Sequence, residues 1–398
     1  MTGPKTARNT GQNTGQNTGR AGTRLRADAR LGAAAVTTLF LTLFLTGCLP
    51  ATSQLPPPAT QLPPAATPAL SEAAPSPATL GPSGSAGVTA SAIQSVHFTA
   101  QGDIGVGKDA KRVLDTIAGL KPQLNLALGD FTYQAGIEKE FCAMVTDKLG
   151  ADFPYELVTG NHESDGHDGD IRNFVQCLPN RLPGLTGEYG TQWYVDVPEQ
   201  KPLVRIIMLS PGIKFHDGNV LDYSKNSPRW RWTAAAVDGA ESRKIPWTVV
   251  GMHTPCLSIG KYDCLAGEDL TNMLMEKKVD LVLSGHNHSY QRTHQLSLGD
   301  RCTALVPGSF SEACITDSDE AMVKGAGTVF ATSGLGGAGL HQVKEDDSEI
   351  RFFAAWSGQN RRAAFGTLDV TATPDRLDAA FVPAEGSSFR DSFAIEKK

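Results

Sequence analysis

The sequence predicts an α/β fold for the chain from about Ser95 onward, on three observations. Short apolar runs alternate with segments of helical spacing. Five of these runs end in, or run straight into, a Gly-Asp, Gly-Asn, Gly-His or His step. Toward the C-terminus the helices disappear and strand-like segments follow one another directly.

Taken in order, residues 96–100 form a short mixed strand leading into Gly102-Asp103. Ala110–Leu120 is helical, because Val113, Leu114, Ile117 and Leu120 share one face. The apolar run 124–128 is a strand that ends at Gly129-Asp130. Residues 138–149 are helical, and the strand 155–158 runs into Gly160-Asn161. Residues 203–209 and 247–252 are buried strands, the second leading into His253. Between them a helix spans 227–242, with Trp230 and Trp232 as packing residues near its start. A helix over 268–276 and a strand over 279–283 deliver Gly285-His286. Residues 328–332, 364–370 and 377–382 are expected in a more antiparallel sheet, closed by 392–395.

The N-terminal part has a different character. The 398-residue chain has a net charge of −6, which excludes a broad basic nucleic-acid face as its main business. Yet Lys5, Arg8, Arg20, Arg24, Arg26 and Arg30 stand against Asp28 alone within residues 1–48. An uncharged run follows from Leu31 to Gly47 and ends in Leu45-Thr46-Gly47-Cys48, which is similar to a bacterial lipoprotein signal. Cys48 is the expected lipidation site. Residues 49–92 hold ten of the 24 prolines, so they are expected as an extended, solvated linker. The expected organisation is therefore signal 1–48, linker 49–92 and folded domain 93–398. The implied location is exported and lipid-anchored to a bacterial membrane, on its extracytoplasmic face, with the lipid as the only membrane contact.

Six cysteines remain: Cys142, Cys177, Cys256, Cys264, Cys302 and Cys314. An even number in an exported chain suits disulfides, and nearest-neighbour pairing gives 142–177, 256–264 and 302–314. None sits in a Cys-x-x-Cys pair, which disfavours a zinc ribbon.

The five strand-end segments are Gly102-Asp103-Ile104-Gly105, Gly129-Asp130-Phe131-Thr132-Tyr133, Gly160-Asn161-His162-Glu163, Val250-Gly251-Met252-His253 and Gly285-His286-Asn287-His288. In α/β sheets functional groups gather beyond the carboxyl ends of strands, so these segments converge on one place. Together they resemble the calcineurin-like metallophosphoesterases, and among them the purple acid phosphatases. The resemblance spans about residues 95–396. It implies a four-layer α/β/β/α sandwich of two mixed sheets and a binuclear centre that hydrolyses phosphomonoesters through a metal-bound hydroxide. Carried over residue by residue, one ion takes Asp103, Tyr133 and His288, the other takes Asn161, His253 and His286, and Asp130 bridges them. The first donor set is hard and anionic and suits Fe³⁺; the second suits Zn²⁺, Fe²⁺ or Mn²⁺. His162 is the expected catalytic residue, binding phosphate or protonating the leaving group.

Tyr262 and Asp263 stand where the family carries a further substrate histidine. His167, in the acidic loop 163–170, is read as solvated, and His97, His216, His294 and His341 as bystanders. The expected partners are small-molecule phosphate esters and not nucleic acid; the oligomeric state is left open. A phosphodiesterase or nucleotidase, or a non-catalytic surface binding protein on the same scaffold, are the alternative readings.

Overall fold

The computed structural model describes residues 94–398; Cys48 and the expected signal and linker lie outside the described residues. In chain order the elements are β1 (Val96–Gln101), α1 (Lys108–Leu120), β2 (Leu124–Ala127), α2 (Glu138–Leu149), β3 (Tyr155–Leu157), α3 (Ile171–Cys177), β4 (Thr186–Glu188), β5 (Gln192–Val197), β6 (Val204–Leu209), α4 (Pro228–Ser242), β7 (Trp247–Met252), α5 (Glu268–Glu276), β8 (Leu281–Ser284), β9 (Tyr290–Thr293), β10 (Gln295–Leu296), β11 (Ile315–Asp317), β12 (Ala321–Val323), β13 (Val329–Ser333), β14 (Phe353–Ser357), β15 (Gly366–Ala372), β16 (Arg376–Pro383) and β17 (Asp391–Glu396).

Strand alternation builds the layers. One seven-stranded sheet runs β12-β17-β16-β15-β1-β2-β3, and an eight-stranded sheet runs β14-β9-β13-β8-β7-β6-β5-β4. Both are mixed: β1, β2 and β3 are parallel, as are β6, β7, β8 and β13, while β15, β16 and β5 are antiparallel to both neighbours and β17 is antiparallel to β16 but parallel to β12. Phe98, Leu126 and Leu368 of the first sheet meet Ile206, Val249 and Leu283 of the second in one central core. The alternate residues face outward, as period-two geometry requires. Leu157 packs under Val113, Leu114, Phe141 and Phe174 of the first helical layer, and Ile207 and Val250 pack under Val237, Leu270 and Leu274 of the second. Helix, sheet, sheet and helix give the four layers.

Local chemistry fixes the helix starts. Ser227 accepts a hydrogen bond from Trp230 N ahead of Pro228, and Asp170 accepts one from Arg172 N. Trp230 donates its indole N–H to Asp269 O, and Trp232 packs on Tyr194, which agrees with a packing role. The three disulfides are Cys142–Cys177, Cys256–Cys264 and Cys302–Cys314, the nearest-neighbour set. Among the described residues no helix is long and apolar enough to cross a membrane.

One expectation needs correction. Residues 328–332 do not join the antiparallel group with 364–370 and 377–382. They form β13, which lies in the other sheet, parallel to β8 and antiparallel to β9. The reason lies in β9, which sequence patterning missed. Its residues Tyr-Gln-Arg-Thr read as polar, yet all four are buried. Arg292 donates to Asp391 at 2.6 and 2.9 Å, and Tyr290 donates to the same carboxylate at 2.8 Å. Removing that carboxylate leaves a buried guanidinium unpaired. Asp391→Ala should therefore lower unfolding stability by about 3–5 kcal/mol, measured by denaturant titration.

Candidate metal centre

The strand ends bring seven donor side chains together. Asp103 follows β1, Asp130 and Tyr133 follow β2, Asn161 follows β3, His253 follows β7, and His286 and His288 follow β8. Two glycines permit the approach. A Cβ on Gly160 would lie 2.3 Å from Asp130 Oδ1. One on Gly129, where φ is +83°, would lie 2.7 Å from His253 Nδ1. Three of the donors themselves have left-handed backbones: Asp103 at φ 60°, Asp130 at 53° and His286 at 66°. That conformation costs non-glycine residues on the order of 1–3 kcal/mol each and concentrates at functional sites.

The donors form two clusters that share one carboxylate. Asp130 groups with His253 and His286, and again with Asp103 and His288, with one donor atom from each residue of a group within 4.8 Å of the others. In the first, His253 Nε2 lies 3.1 Å from His286 Nδ1, 3.2 Å from Asn161 Oδ1 and 3.3 Å from Asp130 Oδ1. In the second, His288 Nε2 lies 3.1 Å from Tyr133 Oη and 3.3 Å from Asp103 Oδ1, and Tyr133 Oη lies 3.4 Å from Asp103 Oδ1.

The donor chemistry fits cations. His253 Nδ1 bonds to Leu128 O at 2.7 Å, and His288 Nδ1 bonds to Gly339 O. Each carbonyl holds its ring so that Nε2 faces the cluster, the arrangement usual for metal-bound histidine. The Nε2 lone pairs of His253 and His288 then face the oxygens of Asp130, Asn161 and Asp103, contacts that positive charge between them makes favourable. Electrostatics report the same demand. Burial alone would lower His253, but Asp130, Asp103 and Glu163 outweigh it and push the imidazole up to about 10. Burial and then the His253 charge push His286 down to about 3, which favours its neutral imidazole. Burial, reinforced by Asp103, Asp130 and Glu163, holds the Tyr133 phenol well above its usual range. A phenolate there requires a strongly charged cation beside it. Asp103 Oδ2 is buried without a hydrogen-bond partner, which also suits an ion.

His162 sits beside these clusters. Its backbone N–H donates to Asp130 Oδ1 at 3.0 Å, and its Nε2 is 3.9 Å from Asp130 Oδ2. Its Nδ1 lies 2.8 Å from Asp168 Oδ2, and the ring packs 4.3 Å from Tyr133. His167 is largely solvated, its Nδ1 3.1 Å from Asp168 Oδ1.

Four residues escaped the sequence reading. Glu163 is buried and accepts from Asp130 N at 3.0 Å, from Phe131 N at 3.1 Å and from Gly160 N. It ties the two donor-bearing turns together; burial, then Asp130, raises its carboxyl to about 8. Asp168 orients His162. Asn287 joins the His286–His288 turn to the disulfide loop. His341, read as a bystander, is stacked on His288 with centroids 3.9 Å apart and planes 7° apart. Burial, then His288 and Lys261, lower it to about 4. A glycine-rich turn preceding His341 was the available signal.

A family model described as calcineurin-like phosphoesterase matches residues 96–290. Over those residues the chain is similar to the calcineurin-like phosphoesterases. Among curated relatives, it is 24% identical to a phosphoenolpyruvate phosphatase of Allium cepa over 51% of this chain and 43% of that protein. It is 25% identical to a purple acid phosphatase of Ipomoea batatas over 67% of this chain and 54% of that protein. The chain spans about half the length of these relatives. Among solved structures, a purple acid phosphatase from yellow lupin (Lupinus luteus) seeds shares the fold, with a TM-score of 0.57 and 17% identity over 77% of this chain and 54% of that one.

Glu163 touches the donor set only through backbone N–H groups of the turns that bear it. Outer-shell partners of this kind change metal affinity about 10- to 100-fold. Glu163→Ala should weaken metal binding by about that factor, read by titration of metal-free protein.

Proposed function

We propose that the chain is an exported, lipid-anchored phosphoesterase of the purple acid phosphatase type, hydrolysing phosphomonoesters at a binuclear centre. The observation that carries this reading is the pair of donor clusters sharing Asp130, with a phenol in one and His162 beside both. Asp103, Tyr133 and His288 would hold a trivalent iron, and Asn161, His253 and His286 a divalent zinc, iron or manganese, with Asp130 between them. When bound, such a pair supplies Lewis acidity and a nucleophile at neutral pH.

The chain's own residues do the rest. Asp168 accepts from His162 Nδ1 and fixes the ring, so that Nε2 is presented toward the clusters. There it can donate to a phosphate oxygen or hold the proton that the departing alcohol takes. Asp103, Asp130, His253 and His286 are buried, which strengthens the charge contacts made there.

His162→Ala should lower kcat/KM for phenyl phosphate by about 100-fold or more, with metal content retained. A matched panel of mono- and diesters tests the substrate class; turnover confined to diesters contradicts the monoester reading.

The location rests on the basic leader and the Leu45-Thr46-Gly47-Cys48 pattern. Cys48→Ser should release the protein from membranes or block its processing, read by fractionation and mature mass.

A further inference from the structure

The loop closed by the Cys256–Cys264 disulfide brings residues to the metal centre that the mechanism above does not use. Tyr262 lies on His286, with ring centroids 4.1 Å apart and planes at 27°. Its edge meets His341 at 5.7 Å and 71°, and His341 stacks on His288. Four rings thus form a continuous wall along one side of both clusters. Lys261 carries the wall's charge. Its Nζ stands 4.7 Å from the centre of the Tyr262 ring, a cation–π contact, and the residue is exposed. Among the described residues it makes no ion pair with a carboxylate.

This placement is built into the loop. Asn287, fully buried between His286 and His288, accepts from Lys261 N at 2.8 Å and Tyr262 N at 3.1 Å. Its amide donates to Ser258 Oγ at 2.8 Å. A Cβ on Gly260 would come within 2.4 Å of Asn287 Oδ1, so glycine is what lets the loop approach. Ile259 N donates to Gln291 Oε1 at 2.8 Å. The backbone bearing Lys261 is therefore fastened to the same turn that bears two of the metal donors, and the ammonium is held at their rim by an aromatic face.

We propose that Lys261, seated on Tyr262, is a specificity-determining residue that binds a second anionic group of the substrate, a carboxylate or a further phosphate on the leaving-group side. The inference rests on the phosphoester reading and names its substrate class: phosphate esters and anhydrides whose leaving group is itself an anion. No bond is made or broken by Lys261; its part is a charge contact whose strength depends on the ligand's second charge and not on the phosphorus head.

The test uses two non-hydrolysable ligands on metal-loaded protein, phosphonoacetate and methylphosphonate, which share the phosphonate and differ in the carboxylate. Calorimetry should show wild type preferring phosphonoacetate by about 5-fold, the scale of one exposed charge pair. Lys261→Ala should lose that preference, Lys261→Arg should keep it, and Lys261→Glu should invert it. A purely structural role for Lys261 would weaken both ligands alike. The same preference in wild type and Lys261→Ala, or no preference in wild type, overturns the proposal alone. If metal-loaded wild type binds neither ligand, the proposal falls together with the phosphoester reading.

Discussion

Asp130 is the residue on which the rest of the site depends. It is a buried carboxylate that both donor clusters share, and every nearby element is arranged around it. Its backbone is left-handed, its N–H is held by Glu163, and its Oδ1 accepts from His162 N. Gly160 has to lack a side chain because a Cβ would fall on that oxygen. The parallel order of β1, β2 and β3 in one sheet and β7 and β8 in the other sets five turns facing the same point.

Burying such a point is costly without compensation. Asp103, Asp130 and Glu163 are buried together beside the Tyr133 phenol, and neighbouring imidazoles offset their negative charge. Asp103 shows the balance: burial would raise it, but His288, His253 and His341 outweigh burial and hold it below the usual carboxylate range. Protonating His253 is one way to supply positive charge; two cations are another, and they meet the lone pairs of both clusters at once. The strain of three left-handed donors is supported elsewhere, by the apolar core between the sheets and the two helical layers. A rigid frame that stores strain at one end suits a site whose donors must be aligned before any ligand arrives.

Much of this was legible in the sequence because the signals are local. An apolar run followed by glycine and a polar residue marks a strand end, and five such ends named all seven donors and His162. Short separations between cysteines favoured the pairing found. What was not legible depended on distant partners. β9 reads as a loop until Asp391, 99 residues away, satisfies Arg292. Glu163 and Asn287 lie within the motifs, but their work is done through hydrogen bonds to backbone turns elsewhere. His341 lies 53 residues from His288, and no periodicity links them. The placement of β13 beside β8 follows from sheet order, which a run of five apolar and small residues does not encode.

The central claim is that these donors hold two ions, one of them bound by the Tyr133 phenolate. Metal quantitation with a visible absorption spectrum of purified wild type and Tyr133→Phe tests it most directly. The account predicts about two metal ions per chain, iron among them, and a broad visible charge-transfer band that Tyr133→Phe abolishes while metal is still bound, more weakly. A fully metallated, iron-containing wild type without colour, or a band that survives in Tyr133→Phe, would contradict it.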